Sequence, residues 1–287
     1  MLRSHRYSTG GKSIVMKRKL RRRKTRAQRE DKYDLYQRSV QEPEPDVSLI
    51  YRVFKRHFGR PPRLLREDFC GTAYLACEWV STHAENRAWA IDLDPEPLKW
   101  GNEHNVARLR PEQAARIKLI EGNVLDVGGS PVDVTAAFNF SYFLFDTRPA
   151  MRRYFEKARA TLESEGLLIL DAYGGADAQR ATMEPRKQDG FTYVWDQHSF
   201  DPITHTCVNY IHFEFSDRSR MHRAFRYSWR LWSIPELREL LLEAGFRKTE
   251  VFWEGTDHSS GEGNGIFRRC EHAPEDPAWI AYIAAIR

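Results

Sequence analysis

The stretch from Arg63 to Asp94 constrains the fold of this chain more than any other. It reads R-L-L-R-E-D-F-C-G-T-A-Y-L-A-C-E-W-V, then a polar break, then R-A-W-A-I-D-L-D. The pattern predicts a strand, a tight turn around Gly71, a helix, and a second strand that ends in acidic residues. Such a unit opens a doubly wound α/β sheet, whose ligands bind outside the carboxyl ends of the strands.

Later segments continue the alternation of strands and helices. A strand begins at Leu64, and the further predicted strands lie at 88–93, 117–120, 132–145, 166–171, 248–253 and 279–286. The predicted fold class is therefore α/β, with a doubly wound, mostly parallel, seven-stranded sheet. At 190–232, aromatic and β-branched residues alternate with polar ones, which predicts an antiparallel β insertion after the fifth strand.

The charge distribution divides the chain into an arm and a body. Residues 1–29 hold twelve Lys and Arg and no Asp or Glu; subtracting these from the 45 Lys and Arg of the chain leaves 33, against 40 Asp and Glu. We predict a disordered basic arm at 1–30, an N-terminal helical cap at 31–60 and one α/β domain at 61–287. Residues 17–29 are a candidate contact with nucleic acid, with a solvated tail as the alternative.

Cysteine usage and hydropathy indicate the cellular compartment of the protein. Cys70, Cys77, Cys207 and Cys270 form neither a disulfide framework nor a zinc-ligand pattern, which predicts a cytoplasmic protein without a metal site. No apolar run approaches the roughly 18 residues of a membrane span, so no membrane association is expected. Met16 is an alternative start, and the Arg-rich opening also resembles a transit peptide, although its charge is too dense to favour that interpretation.

The order of these elements resembles the class I S-adenosylmethionine-dependent methyltransferases over roughly residues 31–287. The motifs that carry the resemblance are L-R-E-D-F-C-G-T-A at 65–73, A-I-D-L-D at 90–94, E-G-N-V-L-D at 121–126, A-F-N-F-S-Y-F at 137–143 and G-L-L-I-L-D-A-Y-G-G at 166–175. The resemblance implies an enzyme that transfers the methyl group of S-adenosylmethionine to an acceptor. The E-D-F-C-G-T loop indicates a subfamily of its own.

The resemblance assigns the cofactor's methionine part to the loop after the first strand. Glu67 matches the acid that ends this strand, and Gly71 matches the middle one of three loop glycines. Phe69 and Ala73 stand where the outer glycines usually are, so the loop must take another path or place the Phe69 ring elsewhere. Asp68 is a candidate for contact with the cofactor's amino group.

The resemblance also assigns the ribose and the adenine. Asp92 ends the second strand, where a carboxylate accepts hydrogen bonds from both ribose hydroxyls; in the alternative, only Asp94 is needed there, as a helix cap. Asn123 and Val124 match the residues that read the adenine edge, with Asp126 as the alternative.

Further candidates come from the N-terminal segment and from the ends of the fourth and fifth strands. Tyr33 and Tyr36 are included because an N-terminal segment often closes over the cofactor in this family. The predicted cofactor-binding residues are Tyr33, Tyr36, Arg66, Glu67, Asp68, Phe69, Cys70, Gly71, Asp92, Leu93, Asn123, Val124, Asn139 and Phe140. The predicted catalytic residues are Asn139, Tyr142, Asp171 and Tyr173.

The chemistry explains this choice of catalytic residues. Methyl transfer is an in-line displacement, which needs a positioned nucleophile more than an acid, and aromatic faces suit a cationic sulfonium. Asp171 and Tyr173 are candidates for a general base, and core packing is the alternative role of each aromatic residue. Tyr210, His212 and Arg226 of the β insertion are candidates for lining the substrate site.

The preferred function is methyl transfer to a small molecule, because the β insertion would enclose a substrate. One alternative is an RNA methyltransferase anchored by the basic arm. Another is a non-catalytic RNA-binding or regulatory protein on the same fold, for which Phe69 in the cofactor loop is the best support. An NAD-dependent oxidoreductase is disfavoured, because F-C-G-T-A-Y lacks the G-x-G-x-x-G pattern.

Overall fold

The computed structural model describes residues 24–257 and 263–287, and the predictions for residues 1–23 lie outside them. The helices are α1 Lys32–Val40, α2 Pro43–Phe58, α3 Tyr74–Thr82, α4 Pro95–His104, α5 Pro111–Ala114, α6 Arg148–Ala160 and α7 Ile234–Glu243. The strands are β1 Leu64–Asp68, β2 Arg87–Asp92, β3 Ile117–Glu121, β4 Val132–Ala137, β5 Leu162–Gly174, β6 Thr182–Gln188, β7 Phe191–Asp201, β8 Thr206–Phe215, β9 Arg220–Arg230, β10 Lys248–Thr256, β11 Gly263–Cys270 and β12 Trp279–Ile286.

Eight strands form the main sheet, in the order β3-β2-β1-β4-β5-β12-β10-β11. The pairs among β1 to β5 are parallel, whereas β12 is antiparallel to both of its neighbours. The predicted α/β, doubly wound class is confirmed, with eight strands where seven were predicted. The additional strand is β11, which pairs with β10 at the border of the sheet. Its residues are mostly exposed, so it lacks the alternation that marks a strand in a sequence.

Helices cover both faces of the main sheet. α2 and α3 pack on one face, where Val47, Phe54 and Trp79 belong to one buried cluster. α6 and α7 pack on the other, where Tyr154 and Leu240 belong to a second cluster. Every residue of β4 is buried, as expected for a central strand covered on both sides. The carboxyl ends of the parallel strands therefore meet at one end of the sheet, where ligands of such folds bind.

The predicted N-terminal cap consists of α1 and α2. The Asp31 carboxylate begins α1 by accepting hydrogen bonds from the backbone N–H groups of Tyr33 and Asp34. Leu35 of α1 is buried in a cluster with residues of β7 and β8, among them Phe213. α1 therefore packs against the β insertion.

The last residues of the predicted disordered arm are held in place. The backbone N–H of Arg26 donates to Asp217 Oδ2 at 2.8 Å, and that of Ala27 donates to Ser219 Oγ at 3.0 Å. Both acceptors lie in the turn between β8 and β9. The disorder predicted for residues 1–30 therefore does not extend to this segment, because two distant side chains supply partners for its backbone.

A second, antiparallel sheet of four strands, β6-β7-β8-β9, follows β5 in the chain, and we call it the cover. It spans Thr182 to Arg230, so the insertion predicted at 190–232 begins earlier than expected. Its first strand was not recognised, because T-M-E-P-R-K-Q is short of apolar residues and largely exposed. The other three strands lie within the alternating stretch at 190–232.

One face of the cover points toward the main sheet. Cys207 Sγ of β8 lies 3.7 Å from the Tyr173 hydroxyl oxygen of β5, which identifies this inner face. Tyr210 and His212 lie at odd spacing from Cys207 and therefore point to the outer face, and Arg226 pairs with Tyr210 across the strands. The prediction that Tyr210, His212 and Arg226 line a substrate site was therefore wrong, because period two defines two faces without saying which is inside.

Candidate active site

The loop after β1 follows a left-handed path. The φ angles of Phe69, Gly71 and Ala73 are 58°, 52° and 54°. Glycine enters this region freely, whereas other residues pay roughly 1–2 kcal/mol. The loop thus has the backbone conformation that glycines would favour, although two of the three positions are not glycine.

The Phe69 ring does not fill the space beside the loop. It packs against Phe145 and Tyr154, with ring centroids 6.1 and 5.6 Å away. A Cβ atom built on Gly71 would meet no other atom within 4 Å. Phe69 replaces a glycine of the family's loop without blocking it, because its ring is placed elsewhere. Open space therefore remains beside Gly71.

Asp92 closes this loop onto the end of β2. Its Oδ2 accepts a hydrogen bond from the Gly71 N–H at 2.7 Å, and its Oδ1 accepts one from the Asp94 N–H at 2.9 Å. Burial raises the pKa of Asp92, against the effect of these N–H groups. Asp94 caps α4 through the Glu96 N–H, so the two acids have separate roles. Leu93, between them, is 68% exposed.

Glu67 is buried behind the loop. Its Oε2 accepts a hydrogen bond from the Ala76 N–H at 3.0 Å, in the first turn of α3. Burial raises the pKa of Glu67 to about 8, and the carboxylates of Asp92 and Asp46 add to the shift. Asp46 in turn has a pKa raised to about 6 by burial. This end of the sheet thus holds several carboxyl groups that carry an electrostatic cost when ionised.

Arg66 and Asp68 contact each other inside the protein. Arg66 is fully buried and donates to Asp68 Oδ1 at 2.7 Å, to the Val127 carbonyl at 2.9 Å and to the Val124 carbonyl at 2.8 Å. Asp68 Oδ2 accepts a hydrogen bond from the Tyr154 hydroxyl at 3.1 Å. These two predicted site residues therefore hold the turn after β3 in position, and their contact with a cofactor stays a prediction.

The turn after β3 brings the predicted adenine residues to the same end of the sheet. Asn123 is exposed, and its Oδ1 accepts a hydrogen bond from the Leu125 N–H at 2.9 Å. Val124 is buried. Asp126, the alternative, is exposed. Cys70 is buried in the loop after β1, with its N–H donated to the Ile91 carbonyl.

The chain after β4 makes a second left-handed turn. Asn139 and Phe140 both have φ of 57°, which ends the strand predicted at 132–145 after Ala137. The Asp171 carboxylate fixes this turn, since it accepts hydrogen bonds from the Asn139 N–H at 2.7 Å and the Phe140 N–H at 2.9 Å. Burial raises the pKa of Asp171 to about 8, against the effect of these bonds. Asp171 thus positions the turn, and its role as a general base stays a prediction.

Tyr142 and Tyr173 differ in where their hydroxyl groups lie. Tyr142 is fully buried and donates its hydroxyl to the Asp171 carbonyl at 2.7 Å, so its predicted catalytic role does not fit the structure. The Tyr173 hydroxyl reaches the inner face of the cover, near Cys207 and 3.4 Å from Asn209 Nδ2. Burial raises the pKa of both tyrosines well above the usual value.

α1 connects the cofactor loop to the cover. Gln37 Nε2 donates to Thr72 Oγ1 at 2.8 Å, next to Gly71. The Tyr33 ring lies 5.6 Å from that of Trp100 on α4. The Tyr36 ring lies 5.0 Å from that of Phe225 on the cover, and burial raises the pKa of Tyr36 to about 12. Both tyrosines thus lie along this connection, and their contact with a cofactor stays a prediction.

Aromatic side chains pack between the carboxyl end of the sheet and the inner face of the cover. We call them the aromatic cluster: Tyr36, Phe140, Tyr173, Trp195, Tyr227 and Trp229. The ring of Phe140 lies 4.7 Å from that of Tyr173, and the ring of Tyr227 lies 4.5 Å from that of Trp229. Trp195, Tyr227 and Trp229 were not among the site residues predicted from the sequence. The sequence shows their period-two spacing, but it does not show which face of the cover they lie on.

Two further features bear on the class of protein. No helix in residues 24–257 and 263–287 is long and apolar enough to cross a membrane. Within the same residues, no group of three or more His, Cys, Asp and Glu side chains is arranged to hold a metal ion.

Comparison with solved structures identifies the architecture. An S-adenosylmethionine-dependent methyltransferase from Clostridium acetobutylicum matches with a TM-score of 0.62 and 15% identity, over 88% of this chain and 96% of that one. The chain has the class I methyltransferase fold. The sugar N-methyltransferase KedS8 from Streptoalloteichus matches with a TM-score of 0.59 and 14% identity, over 100% of this chain and 99% of that one.

A third methyltransferase of the same fold was solved with S-adenosylmethionine bound. This is CalS10, an amino pentose methyltransferase from Micromonospora echinaspora, with a TM-score of 0.59 and 12% identity, over 88% of this chain and 95% of that one. No protein-family model and no curated protein matches the chain in sequence. The similarity is thus one of fold.

Proposed function

We propose that this chain is an S-adenosylmethionine-dependent methyltransferase that acts on a small molecule held beneath the cover. The observation that carries the proposal is the left-handed loop from Phe69 to Ala73, closed by Asp92 at the carboxyl end of a class I sheet. In this fold, that end binds nucleoside-containing ligands. The solved relatives of the same fold include complexes with S-adenosylmethionine and S-adenosylhomocysteine.

The residues present fit this cofactor in two respects. The space beside Gly71 is open, so the loop backbone is accessible to a ligand. Glu67, Asp92 and Asp171 form no ion pair with any described residue, unlike Asp68, which pairs with Arg66. Buried carboxyl groups without a cationic partner are costly when ionised. A ligand that carries positive charge would supply the missing partner.

Each part of the cofactor has candidate ligands in the chain. Asp92 would bind the ribose hydroxyls, the backbone around Gly71 the methionine part, and Asn123 and Val124 the adenine. S-adenosylmethionine, when bound, supplies an electrophilic methyl group on a cationic sulfur. Phe140, after β4, offers an aromatic face that suits such a cation.

The chain's own contribution to catalysis would be orientation. Asp171 fixes Asn139 and Phe140 by two hydrogen bonds, and the cover and α1 shield this end of the sheet from water. Holding two reactants in line can contribute about 7–11 kcal/mol to lowering a barrier. The small-molecule acceptor follows from the cover, and the acceptors named for KedS8 and CalS10, a sugar and an amino pentose, are small molecules too.

The two alternative functions have less support. KedS8 and CalS10 are named as methyltransferases of a sugar and of an amino pentose, and residues 17–23 of the basic arm lie outside the described residues. Of the rest of the arm, the Arg26 N–H is already bonded to Asp217. The non-catalytic alternative depended on Phe69 obstructing the loop, and its ring packs against Phe145 and Tyr154 instead.

Calorimetry tests the proposal directly. S-adenosylmethionine and S-adenosylhomocysteine should each bind the purified chain at one site, and NADH should not. A crystal structure with S-adenosylhomocysteine should then show the ribose against Asp92. The absence of binding by either compound would refute the proposal.

A further inference from the structure

A cluster of charged side chains outside the candidate active site surrounds Glu250 on β10. The Glu250 carboxylate is buried, and both of its oxygens contact basic side chains from α2, β10 and β11. Oε1 lies 2.9 Å from Lys248 Nζ and 3.1 Å from Arg269 Nε. Oε2 lies 3.0 Å from His57 Nε2 and also contacts Arg56. One anion thus gathers three permanent cations and a histidine.

The charges of this cluster do not balance. Burial alone would favour a protonated Glu250, but the hydrogen bonds from Lys248 and the surrounding basic side chains lower its pKa to about 2. The carboxylate is therefore ionised at neutral pH, yet one negative charge cannot neutralise three cations. Arg269 has a second carboxylate partner in Glu271. Arg56 and Lys248 pair with Glu250 alone among the described residues, and both are half-exposed.

A cleft of about 550 Å³ opens beside the cluster. Its walls are formed by His57, Phe58, Ser164, Glu165, Arg247, Lys248 and Ile286. Cavities of this size hold small molecules in other proteins. Lys248 and His57 therefore belong both to the cluster around Glu250 and to the wall of a space that a small ligand fits.

The walls of the cleft offer hydrogen-bond donors that the fold does not use. Within residues 24–257 and 263–287, the Arg247 guanidinium makes one hydrogen bond, through Nε, and the Ser164 hydroxyl and His57 Nδ1 make none. Glu165 is the one acid of the lining, and its Oε2 already lies 3.4 Å from Arg60 Nε. The unused donors and the excess positive charge both favour an anionic ligand.

We propose that this cleft binds the phosphate group of a small phosphate ester, with Lys248 and Arg247 as its cationic ligands. A phosphate monoester carries close to two negative charges and has three terminal oxygens, and Arg and Lys are well suited to bind it. Phe58 and Ile286 offer apolar surface to the organic part of the ester. Glu250 is a positioning residue, because it holds Lys248 at the wall of the cleft.

This site is separate from the candidate active site. Ser164 lies near the start of β5, and Asp171 lies seven residues further along, which corresponds to roughly 23 Å of extended strand. The cleft is therefore at the opposite end of the main sheet from Asp171 and the loop after β1. Binding of a phosphate ester there is independent of the proposed methyl transfer.

Four ligands test the site, each titrated by calorimetry into the full chain at low ionic strength in a buffer free of phosphate. Phenyl phosphate should bind at one site and at least about tenfold more tightly than benzoate, which carries a single charge. Benzyl alcohol should bind most weakly. Inorganic phosphate should bind more weakly than phenyl phosphate, because it has no apolar ring to remove from water.

Saturating S-adenosylhomocysteine should leave the affinity for phenyl phosphate unchanged, since its proposed site lies at the other end of the sheet. Displacement of phenyl phosphate by S-adenosylhomocysteine would overturn the inference. So would no binding of phenyl phosphate, or equal binding of phenyl phosphate and either benzoate or inorganic phosphate. Failure of S-adenosylhomocysteine itself to bind refutes the proposed function and leaves the phosphate site standing.

Three variants locate the binding. Lys248→Gln leaves Glu250 its other partners and should weaken phenyl phosphate binding by about tenfold, and the exposed Arg247→Gln should do the same. Lys187→Gln makes the same change of charge at an exposed position of the cover and should leave the affinity within about twofold. An equal loss in Lys187→Gln, or an unchanged affinity in both other variants, would show that phenyl phosphate does not bind in this cleft.

Discussion

The loop after β1 and the inner face of the cover meet at the same end of the sheet but are built in different ways. The loop presents its backbone to open space beside Gly71, and the acids that hold it, Glu67 and Asp92, accept hydrogen bonds from main-chain N–H groups. The inner face of the cover presents side chains, most of them aromatic. A backbone site recognises one invariant ligand, whereas a surface of side chains can change its ligand by substitution. The difference supports our proposal that the cofactor binds at the first region and the acceptor at the second.

The largest effect is expected from a substitution in the first region, the loop after β1. Asp92→Ala removes the carboxylate that closes the loop and would bind the ribose, so affinity for S-adenosylmethionine should fall by roughly 100-fold or more, as expected for two charged hydrogen bonds. Calorimetry gives the ratio. Trp195→Leu, in the cover, should leave this affinity within about twofold of the wild type. A similar loss in both variants would show that the two regions do not act separately.

The next effect concerns the charge of the first region. The folded-state pKa of Glu67 is raised to about 8 from 4.5, so the folded protein binds protons more tightly than the unfolded chain does. Its contribution to stability is fully present below about pH 4.5 and is lost as the pH rises through 8. The free energy of unfolding of the free protein should therefore fall between pH 5.5 and 8.5, at up to about 1.4 kcal/mol per pH unit for this group.

Denaturant unfolding at the two pH values measures this dependence. In Glu67→Gln the fall should be smaller by roughly 2–3 kcal/mol. The exposed Glu163→Gln on β5 serves as the control, with the wild-type dependence retained. A saturating cationic cofactor should also reduce the fall, because it stabilises the ionised carboxylate. An unchanged pH dependence in Glu67→Gln would contradict the assignment.

An intermediate effect is expected where the two regions meet. Asp171→Asn leaves one oxygen to accept from the Asn139 and Phe140 N–H groups, so one of the two N–H groups loses its partner. The variant should lose about 1–3 kcal/mol of stability and at least about tenfold in kcat for methyl transfer. Cofactor affinity should change little, since Asp92 is intact. Retention of full kcat would show that the turn after β4 does not position the reactants.

The smallest effect refines the description of the loop. Ala73→Gly should stabilise the protein by up to about 1 kcal/mol, because glycine takes a φ of 54° without strain. Gly71→Ala should do the opposite by a similar amount, although the space around it is open. Thermal unfolding resolves both, as shifts of a few degrees of opposite sign. Shifts of the same sign would contradict the backbone account.

Local patterns explain why the loop was predictable and the cover was not. The loop and Asp92 are 21 residues apart, within one β-turn-α-β unit, and strand periodicity places both at the same end of the sheet. The inner face of the cover is defined by contacts such as Tyr173 with Asn209, 36 residues apart. Period two fixes the alternation of side chains, but only the packing of one sheet on the other decides the facing.

Buried polar contacts between distant segments were equally hidden from the sequence. Arg66 stands directly before the E-D-F-C-G motif and was predicted to contact the cofactor, yet its partners include Val124, 58 residues away. Tyr142 and Asp171 were likewise chosen as catalytic because of their position after strands. Their hydrogen bonds show that a polar residue at a strand end can instead hold the neighbouring turn.

The bond between Arg26 and Asp217 has a consequence for how the protein is made. The two residues are 191 positions apart, and a ribosome that adds about 5 to 20 residues per second needs roughly 10 to 40 s to supply the second after the first. During that interval α1 has emerged without the strands on which Leu35 is buried. The segment synthesised early is therefore among the last to dock, and contacts of such long sequence separation slow folding.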